Sequence, residues 1–280
     1  TGVIKGEGEE TFAGLCRVYH ECAEEAEEGR QEMLWTRLRL LEGITFKDAG
    51  GRISDNPWRP VTDLSGVPFV YHNMEEFRNK IIYYESSRGC PFSCSYCLSS
   101  VDRQLRFRDL ETVKRELKFF IDQEVPQVKF VDRTFNCRHE HAIAIWKYIA
   151  EHDRGITNFH FEVAADLLNE EELKILEGMR PGLVQLEIGI QSTNPDTIRE
   201  IRRVMDFDKV RNAVERIRRK GNIHQHLDLI AGLPYEDIAS FARSFDDVYS
   251  LRPQQLQLGF LKVLKGSYIE EMKEEYGLVY

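Results

Sequence analysis

The chain has 280 residues, 42% of them hydrophobic, which suffices for one large α/β domain or two modest ones and excludes wholesale disorder. Its net charge of −9, from 38 basic and 47 acidic residues, argues against broad nucleic-acid binding through phosphate neutralisation. The chain has no apolar run near the roughly 18 residues needed to span a bilayer, and residues 1–10 do not resemble a signal peptide. We therefore expect a cytoplasmic protein.

Residues 1–80 differ in pattern from the rest of the chain. Apolar residues recur at helical spacing over 9–29, which predicts one acidic helix. Short apolar runs at 44–47 and 52–54 flank a Gly-Gly turn and predict a β-hairpin. Three prolines within 56–71 predict an extended linker. We place a domain boundary after residue 80, so that 81–280 forms the second region.

From residue 81, short β-rich runs alternate with amphipathic helical stretches. Strands are predicted over 81–85, 127–132, 158–164, 183–190, 225–230 and 255–262. Helices are predicted over 110–123, 139–152, 170–177, 208–220 and 238–251. Six βα units imply an α/β fold with a parallel sheet, curled into a partial (β/α)6 barrel. Only a short helix over 267–276 follows the last strand, and we expect this chain to be a fragment of a larger protein.

The cysteine pattern carries most of the chemical information. Residues 88–97, RGCPFSCSYC, follow the first predicted strand and place Cys90, Cys94 and Cys97 in a C-x3-C-x2-C spacing. A glycine and a proline allow the tight loop that three converging thiolates need. Three cysteines without an obvious fourth indicate an iron–sulfur cubane with one iron left open. A structural zinc site remains the alternative, with Cys137, His139 or His141 as fourth ligand.

This spacing, with an aromatic residue before the third cysteine and a partial barrel behind it, resembles the radical S-adenosylmethionine superfamily. The resemblance covers about residues 81–266. It implies that a 4Fe–4S cluster chelates the methionine part of S-adenosylmethionine and that reduction cleaves the sulfonium to a 5′-deoxyadenosyl radical, which abstracts a substrate hydrogen. It also implies a flavodoxin- or ferredoxin-type electron donor.

The first cofactor contacts that the resemblance implies lie in the cysteine loop and after the second strand. Tyr96 resembles the aromatic residue that contacts the adenine. Where many members carry Gly-Gly-Glu for the methionine amino group, this chain has VDRTFN at 131–136. The resemblance therefore assigns that role to Asp132 and the neighbouring Arg133, since an acid pairs with an ammonium.

Later strands supply the remaining implied contacts. Glu162 and Glu187 stand where the family contacts the ribose or the methionine, and a carboxylate in mid-strand is costly without a partner. Gln191 resembles the polar end of a G-x-Q-S stretch. Gly232, in LIAGLP, resembles the segment that backs the adenine. His226 is interpreted as a satisfied core residue.

The start of the chain resembles the end of a cobalamin-binding domain over about a dozen residues from Val3 to Phe12. Such a domain precedes the radical domain in one large subclass. The Asp-x-His-x-x-Gly stretch that ligates cobalt in many members does not occur in these 280 residues. The resemblance implies that the intact protein binds cobalamin and transfers a methyl group. The net charge of −9 favours a small molecule or a peptide over RNA as the substrate.

Two other functions fit parts of the sequence. A radical methylthiotransferase acting on transfer RNA or a ribosomal protein needs a second cysteine trio, which Cys16, Cys22 and Cys137 do not provide. A zinc-stabilised, non-catalytic interaction module would be colourless, unlike a cubane protein. One basic run could form a nucleic-acid groove, and we interpret it as solvated helix surface paired with acids. It comprises Arg199, Arg202, Arg203, Arg211, Arg216, Arg218, Arg219 and Lys220.

Overall fold

A computed structural model describes residues 1–24, 27–100 and 102–279. The chain divides into two compact units, Thr1–Pro68 and Phe69–Tyr280. The division falls inside the proline-containing stretch and ahead of the boundary predicted after residue 80. Within the described residues, no helix combines the length and apolar character needed to cross a membrane.

The first unit is a small α/β structure. It contains β1 (Gly2–Ile4), α1 (Glu9–Ala23), α2 (Glu27–Leu40), β2 (Ile44–Lys47) and β3 (Ile53–Asp55). The three strands form an antiparallel sheet in the order β1-β2-β3. Leu38, Ile44 and Phe46 form its buried core.

The predicted hairpin is confirmed by the pairing of β2 with β3. The single helix predicted over 9–29 differs from the structure, because α1 ends at Ala23 and a second helix follows from Glu27. Residues 25 and 26 of that prediction lie outside the described residues. The dense acidic run from 24 to 28 explains the difference, since like charges at helical spacing oppose one continuous helix.

The second unit is built on a six-stranded sheet. The strands of the whole unit in chain order are β4 (Ile82–Tyr84), β5 (Ser87–Arg88), β6 (Arg106–Phe107), β7 (Gln127–Phe130), β8 (Asn158–Glu162), β9 (Val184–Gln191), β10 (His224–Ala231) and β11 (Gln255–Phe260). The sheet has the order β11-β10-β9-β8-β7-β4, and every neighbouring pair is parallel. Strands β5 and β6 form a separate antiparallel pair. The predicted α/β partial barrel is confirmed, and each predicted strand overlaps an observed one.

Helices connect these strands. They are α3 (Leu110–Asp122), α4 (His139–His152), α5 (Glu170–Glu177), α6 (Pro195–Glu200), α7 (Phe207–Lys220), α8 (Ile238–Ser250) and α9 (Tyr268–Glu271). The five helices predicted between strands are confirmed. Helix α6 was not predicted, although its start carries a capping Asn194 followed by Pro195 at the first helical position.

Side chains along the strands point alternately to the apolar core and to the opposite face of the sheet. The even-numbered side chains of β9 are buried in the apolar core together with residues of the surrounding helices. Its odd-numbered side chains face the opposite side and are half-buried; they are Gln185, Glu187, Gly189 and Gln191. Because side chains alternate with period two, the sheet has one apolar face and one polar face. The polar face lines the inside of the partial barrel.

Candidate cofactor site

The three predicted cluster ligands lie in the loop that connects β5 to β6. Their thiols are free, Cys90 and Cys94 are buried, and Cys97 is half-buried. Gly89 begins the loop with φ +90°, and a Cβ there would stand 2.5 Å from the carbonyl oxygen of Gln104. Only glycine fits that position without displacing the backbone. The Cys90 amide then donates to the Asp102 carbonyl oxygen at 3.1 Å, which closes the loop.

The three thiols do not all lie as close together as the ligands of a single zinc ion. Tetrahedral zinc with bonds of about 2.3 Å would hold its sulfurs within about 4 Å of one another. Among the described residues, three metal-ligating side chains with ligand atoms within 4.8 Å of one another occur at Glu187, His226 and Asp228 and not at the cysteines. A cubane is larger than one ion and accepts the wider spacing.

The other residues considered as a fourth zinc ligand have different surroundings. The His141 Nε2 lies 3.0 Å from Ser86 Oγ in a buried contact, and His139 Nδ1 lies 3.1 Å from Glu172. Burial, with a smaller contribution from the nearby Cys90, raises the pKa of the Cys137 thiol to about 11. Cys137 therefore lies close to the loop as a protonated thiol at neutral pH.

A cleft of about 150 Å³ adjoins the cysteine loop on the polar face of the sheet. It brings together the ends of β7, β8, β9 and β10, where parallel α/β folds place their ligands. Its polar lining consists of Arg133, Thr134, Glu162, Glu187, Gln191, Arg203 and Asp228, with Phe92 and Cys94 on the loop side. Carboxylates and guanidinium groups thus share one cavity with a predicted cluster ligand.

A bulge in β9 aims Gln191 into this cleft. The register between β9 and β10 shifts between Asp228 and Leu229, and Gln191 has φ +73°. A Cβ at Gly189 would lie 2.3 Å from Gln191 Nε2, so the glutamine side chain crosses directly over the glycine. Such bulges re-orient side chains near functional sites, and a positive φ in a non-glycine residue is sustained by its surroundings.

The three cleft carboxylates have different electrostatic environments. Hydrogen bonding from His160 lowers the pKa of Glu187 to about 2, and Lys129, whose Nζ lies 3.0 Å from Glu187 Oε2, contributes further. Burial raises the pKa of Glu162, and the neighbouring Glu187 adds to this. Burial likewise raises the pKa of Asp228 to about 7, helped by Glu187 and Glu162. The cleft therefore favours a cationic or hydroxyl-bearing ligand that relieves these carboxylates.

Arg203 connects the cleft to the cysteine loop. Its Nη1 donates to Tyr96 Oη at 3.3 Å and lies 4.0 Å from Cys94 Sγ, while its Nη2 donates to the Gly189 carbonyl oxygen. This side chain was predicted to be solvated helix surface, and the structure corrects that. It lies after α6 and turns inward, whereas Arg216 of the same basic run does pair with Glu170 and Glu177.

The structure brings four of the predicted cofactor-binding residues together in the cleft: Arg133, Glu162, Glu187 and Gln191. The other three lie elsewhere. Asp132 is fully buried and directs its carboxylate at Ser86 and Ser87. Tyr96 packs on a small apolar cluster beside the cleft, and Gly232, with φ +87°, borders a separate groove. The roles predicted for all seven stay predictions.

Two charged cleft residues, Asp228 and Arg203, were absent from the predicted site. Asp228 carried the same signal that selected Glu162, a carboxylate on the inward face of a strand. Its Oδ1 lies 3.0 Å from Nε2 of the buried His226. Arg203 had no comparable signal, because nothing in its sequence neighbourhood shows that the chain turns inward after α6.

Comparison with known proteins is consistent with this geometry. The family model described as the Radical SAM superfamily matches residues 84–248. An uncharacterized methyltransferase, PH0819 of Pyrococcus horikoshii, is 25% identical over 265 residues, which are 89% of this chain and 54% of that protein. The cobalamin-dependent radical SAM methyltransferase TokK of Streptomyces tokunonensis is 25% identical over 207 residues, which are 70% of this chain and 30% of TokK. The chain spans about half or less of the length of these relatives.

Solved structures show the same fold. The radical S-adenosylmethionine methyltransferase TsrM from Kitasatospora setae, with cobalamin and a [4Fe-4S] cluster bound, superposes with a TM-score of 0.74 at 18% identity. The similarity covers 98% of this chain and 55% of TsrM. Both compact units of the chain thus fall within the part that resembles TsrM.

Proposed function

Because the chain belongs to the radical S-adenosylmethionine superfamily, we propose that Cys90, Cys94 and Cys97 hold a 4Fe–4S cluster with one open iron and that the adjoining cleft receives S-adenosylmethionine. One observation supports this most directly. A loop carrying three free thiols borders a cleft that combines carboxylates with a guanidinium group beside Cys94. When bound, the cluster supplies the electron that cleaves the sulfonium of S-adenosylmethionine.

The cleft residues would bind and orient that cofactor. Arg203 stands next to Cys94, so its guanidinium suits the carboxylate of a methionine moiety held at the open iron. Glu162 and Asp228 are partly desolvated acceptors for hydroxyl or ammonium groups. Gln191 offers an amide at the end of β9. Arg133 and Glu187 complete the polar lining, and Tyr96 and Gly232 are proposed to flank the adenine.

The intact protein is proposed to use cobalamin and to transfer a methyl group. Support comes from TokK and TsrM, whose names describe cobalamin-dependent or cobalamin-bound methyltransferases. Support also comes from the first unit, Thr1–Pro68, which we interpret as the end of a cobalamin-binding domain. We expect a corrinoid to co-purify with the full-length protein, measured by mass spectrometry. Corrinoid-free protein after loading with hydroxocobalamin contradicts this part of the proposal.

The proposal also includes an electron donor and a class of substrate. A radical enzyme of this kind needs an external electron donor, and a flavodoxin or ferredoxin in the cytoplasm fits that need. A small molecule or a peptide is the proposed substrate, because the net charge of −9 disfavours RNA.

The first test is anaerobic reconstitution of the protein with iron and sulfide, followed by iron counting and EPR of the reduced protein with and without S-adenosylmethionine. We expect about four irons per chain and an EPR signal that changes when the cofactor is added. Cys94→Ala should lose the cluster, whereas the control Cys137→Ala, which replaces a free cysteine next to the loop, should keep it. Stoichiometric zinc, or a cluster indifferent to S-adenosylmethionine, contradicts the proposal.

A further inference from the structure

The two ends of the cysteine loop meet at a common base. Strands β5 and β6 pair there, with Ser87 opposite Phe107 and Arg88 opposite Arg106. Next to the Ser87–Phe107 pair, on the side away from the loop, the Arg108 amide donates to the Ser86 carbonyl oxygen at 2.8 Å. The segment that carries the three thiols leaves and returns to the strands at this base.

A buried carboxylate holds the incoming end of the loop. Asp132 is fully buried, and its Oδ2 accepts from the Ser86 amide at 3.1 Å. Its Oδ1 accepts from the Ser86 hydroxyl at 2.9 Å and from the Ser87 hydroxyl at 2.5 Å. Because the Ser86 proton is directed at Asp132, His141 Nε2, 3.0 Å away, donates to that hydroxyl.

A second buried carboxylate holds the outgoing end. Arg108 makes a two-pronged pair with Glu116 of α3, with Nε to Oε2 at 2.9 Å and Nη2 to Oε1 at 2.7 Å. Tyr84 Oη donates to the same Oε2 at 2.6 Å. Both members of the ion pair are buried, and such pairs give a defined geometry.

We infer that Asp132 and Glu116 are positioning residues that hold the base of the cysteine loop closed, so that the three thiols are pre-arranged before a cluster binds. Buried ionised groups add little net stability over apolar side chains, so what these contacts contribute is a defined conformation. Asp132 has a further connection, because Thr134, two residues on, places its Oγ1 3.8 Å from Cys90 Sγ. The link to the cluster rests on the proposed function, whereas the closed base does not.

The test compares Asp132→Asn with Glu172→Gln in the full chain. Asparagine keeps one oxygen but turns an NH2 group towards donors that need an acceptor. Glu172 is an equally buried carboxylate, but it belongs to the capping box of α5 and has no contact with the cysteine loop among the bonds described. Both variants should lower the melting temperature, so the control removes the effect of general destabilisation.

Two measurements follow, one before and one after reconstitution. In the iron-free chain, hydrogen exchange of the segment 88–106 should be about tenfold faster in Asp132→Asn, the scale of one lost buried hydrogen bond, and unchanged in Glu172→Gln. After reconstitution, a chelator should remove iron about tenfold faster from Asp132→Asn only. Ser87→Ala, which removes a single hydroxyl donor, should show the same changes to a smaller degree and serves if Asp132→Asn does not fold.

The outcomes separate this inference from the proposed function. Unchanged exchange of 88–106 in Asp132→Asn, or in Ser87→Ala if the first variant is unfolded, overturns the inference. Equal acceleration in Glu172→Gln also overturns it. Suppose that exchange is faster in Asp132→Asn but that the unsubstituted chain takes up no iron. That result supports the closed base and refutes the proposed cluster.

Discussion

Replacing Asp228 by asparagine should stabilise the protein without S-adenosylmethionine at alkaline pH and have a smaller effect at acid pH. Burial raises the pKa of this carboxyl from 3.8 to about 7, with help from Glu187 and Glu162. The folded state therefore binds a proton more tightly than the unfolded state does. Stability is unaffected by this group below pH 3.8, falls as the pH rises from about 4 to about 7, and stays reduced above that.

The magnitude follows from the size of the pKa change. At roughly 1.4 kcal/mol per pH unit, ionised Asp228 lowers the free energy of unfolding by about 4 kcal/mol at pH 8 and by under about 2 kcal/mol at pH 5. Asparagine has nearly the same shape and carries no charge, so it removes this penalty. Asp228→Asn should therefore raise the free energy of unfolding by at most those amounts.

Urea denaturation at pH 5 and pH 8, followed by circular dichroism, measures the difference. Glu187→Gln is the matched control with the opposite sign, because hydrogen bonding from His160 lowers the pKa of Glu187 to about 2. Its ionised form stabilises the fold above about pH 4.5, and that contribution is lost only as the pH falls towards 2. The control should lose about 3 kcal/mol at both pH values. An Asp228→Asn effect that is equal at the two pH values refutes the reasoning.

Three further predictions concern the loop, the cleft and the core. Gly89→Ala should lower the iron bound per chain, because φ is +90° and the new Cβ would stand 2.5 Å from the Gln104 carbonyl oxygen; normal iron content would contradict this. Gly189→Ala should weaken S-adenosylmethionine binding in calorimetry, since its Cβ would lie 2.3 Å from Gln191 Nε2, and unchanged affinity would show that Gln191 is not used. Phe120→Ala, at a fully buried position, should reduce the free energy of unfolding by about 3–5 kcal/mol in denaturant titration, and a loss under about 1 kcal/mol would mean that the core collapses around the gap.

Element types and the grouping of the three cysteines could be predicted from the sequence because both are local properties. Period-two and helical spacings distinguish strands from helices over a few residues, and β8, β9 and β10 lie within two residues of their predicted bounds at each end. Cys90, Cys94 and Cys97 are within eight residues of one another, so their grouping does not depend on the rest of the fold. The end of α1 at Ala23 was not predicted, because the acidic residues that follow it are compatible with a continuing helix on sequence alone.

The composition of the cleft was decided by the tertiary structure. Glu162, Glu187 and Asp228 lie close together because the strand register and the β9 bulge determine which inward-facing side chains are neighbours on adjacent strands. Asp132 has the expected chemistry but faces Ser86 and Ser87, since its direction depends on a neighbouring loop rather than on its own strand. By itself, the sequence determined the cysteine loop and the sheet that supports it. Only long-range packing decided which charges share the cleft, because it joins residues such as Arg203 and Cys94 that are far apart in the chain.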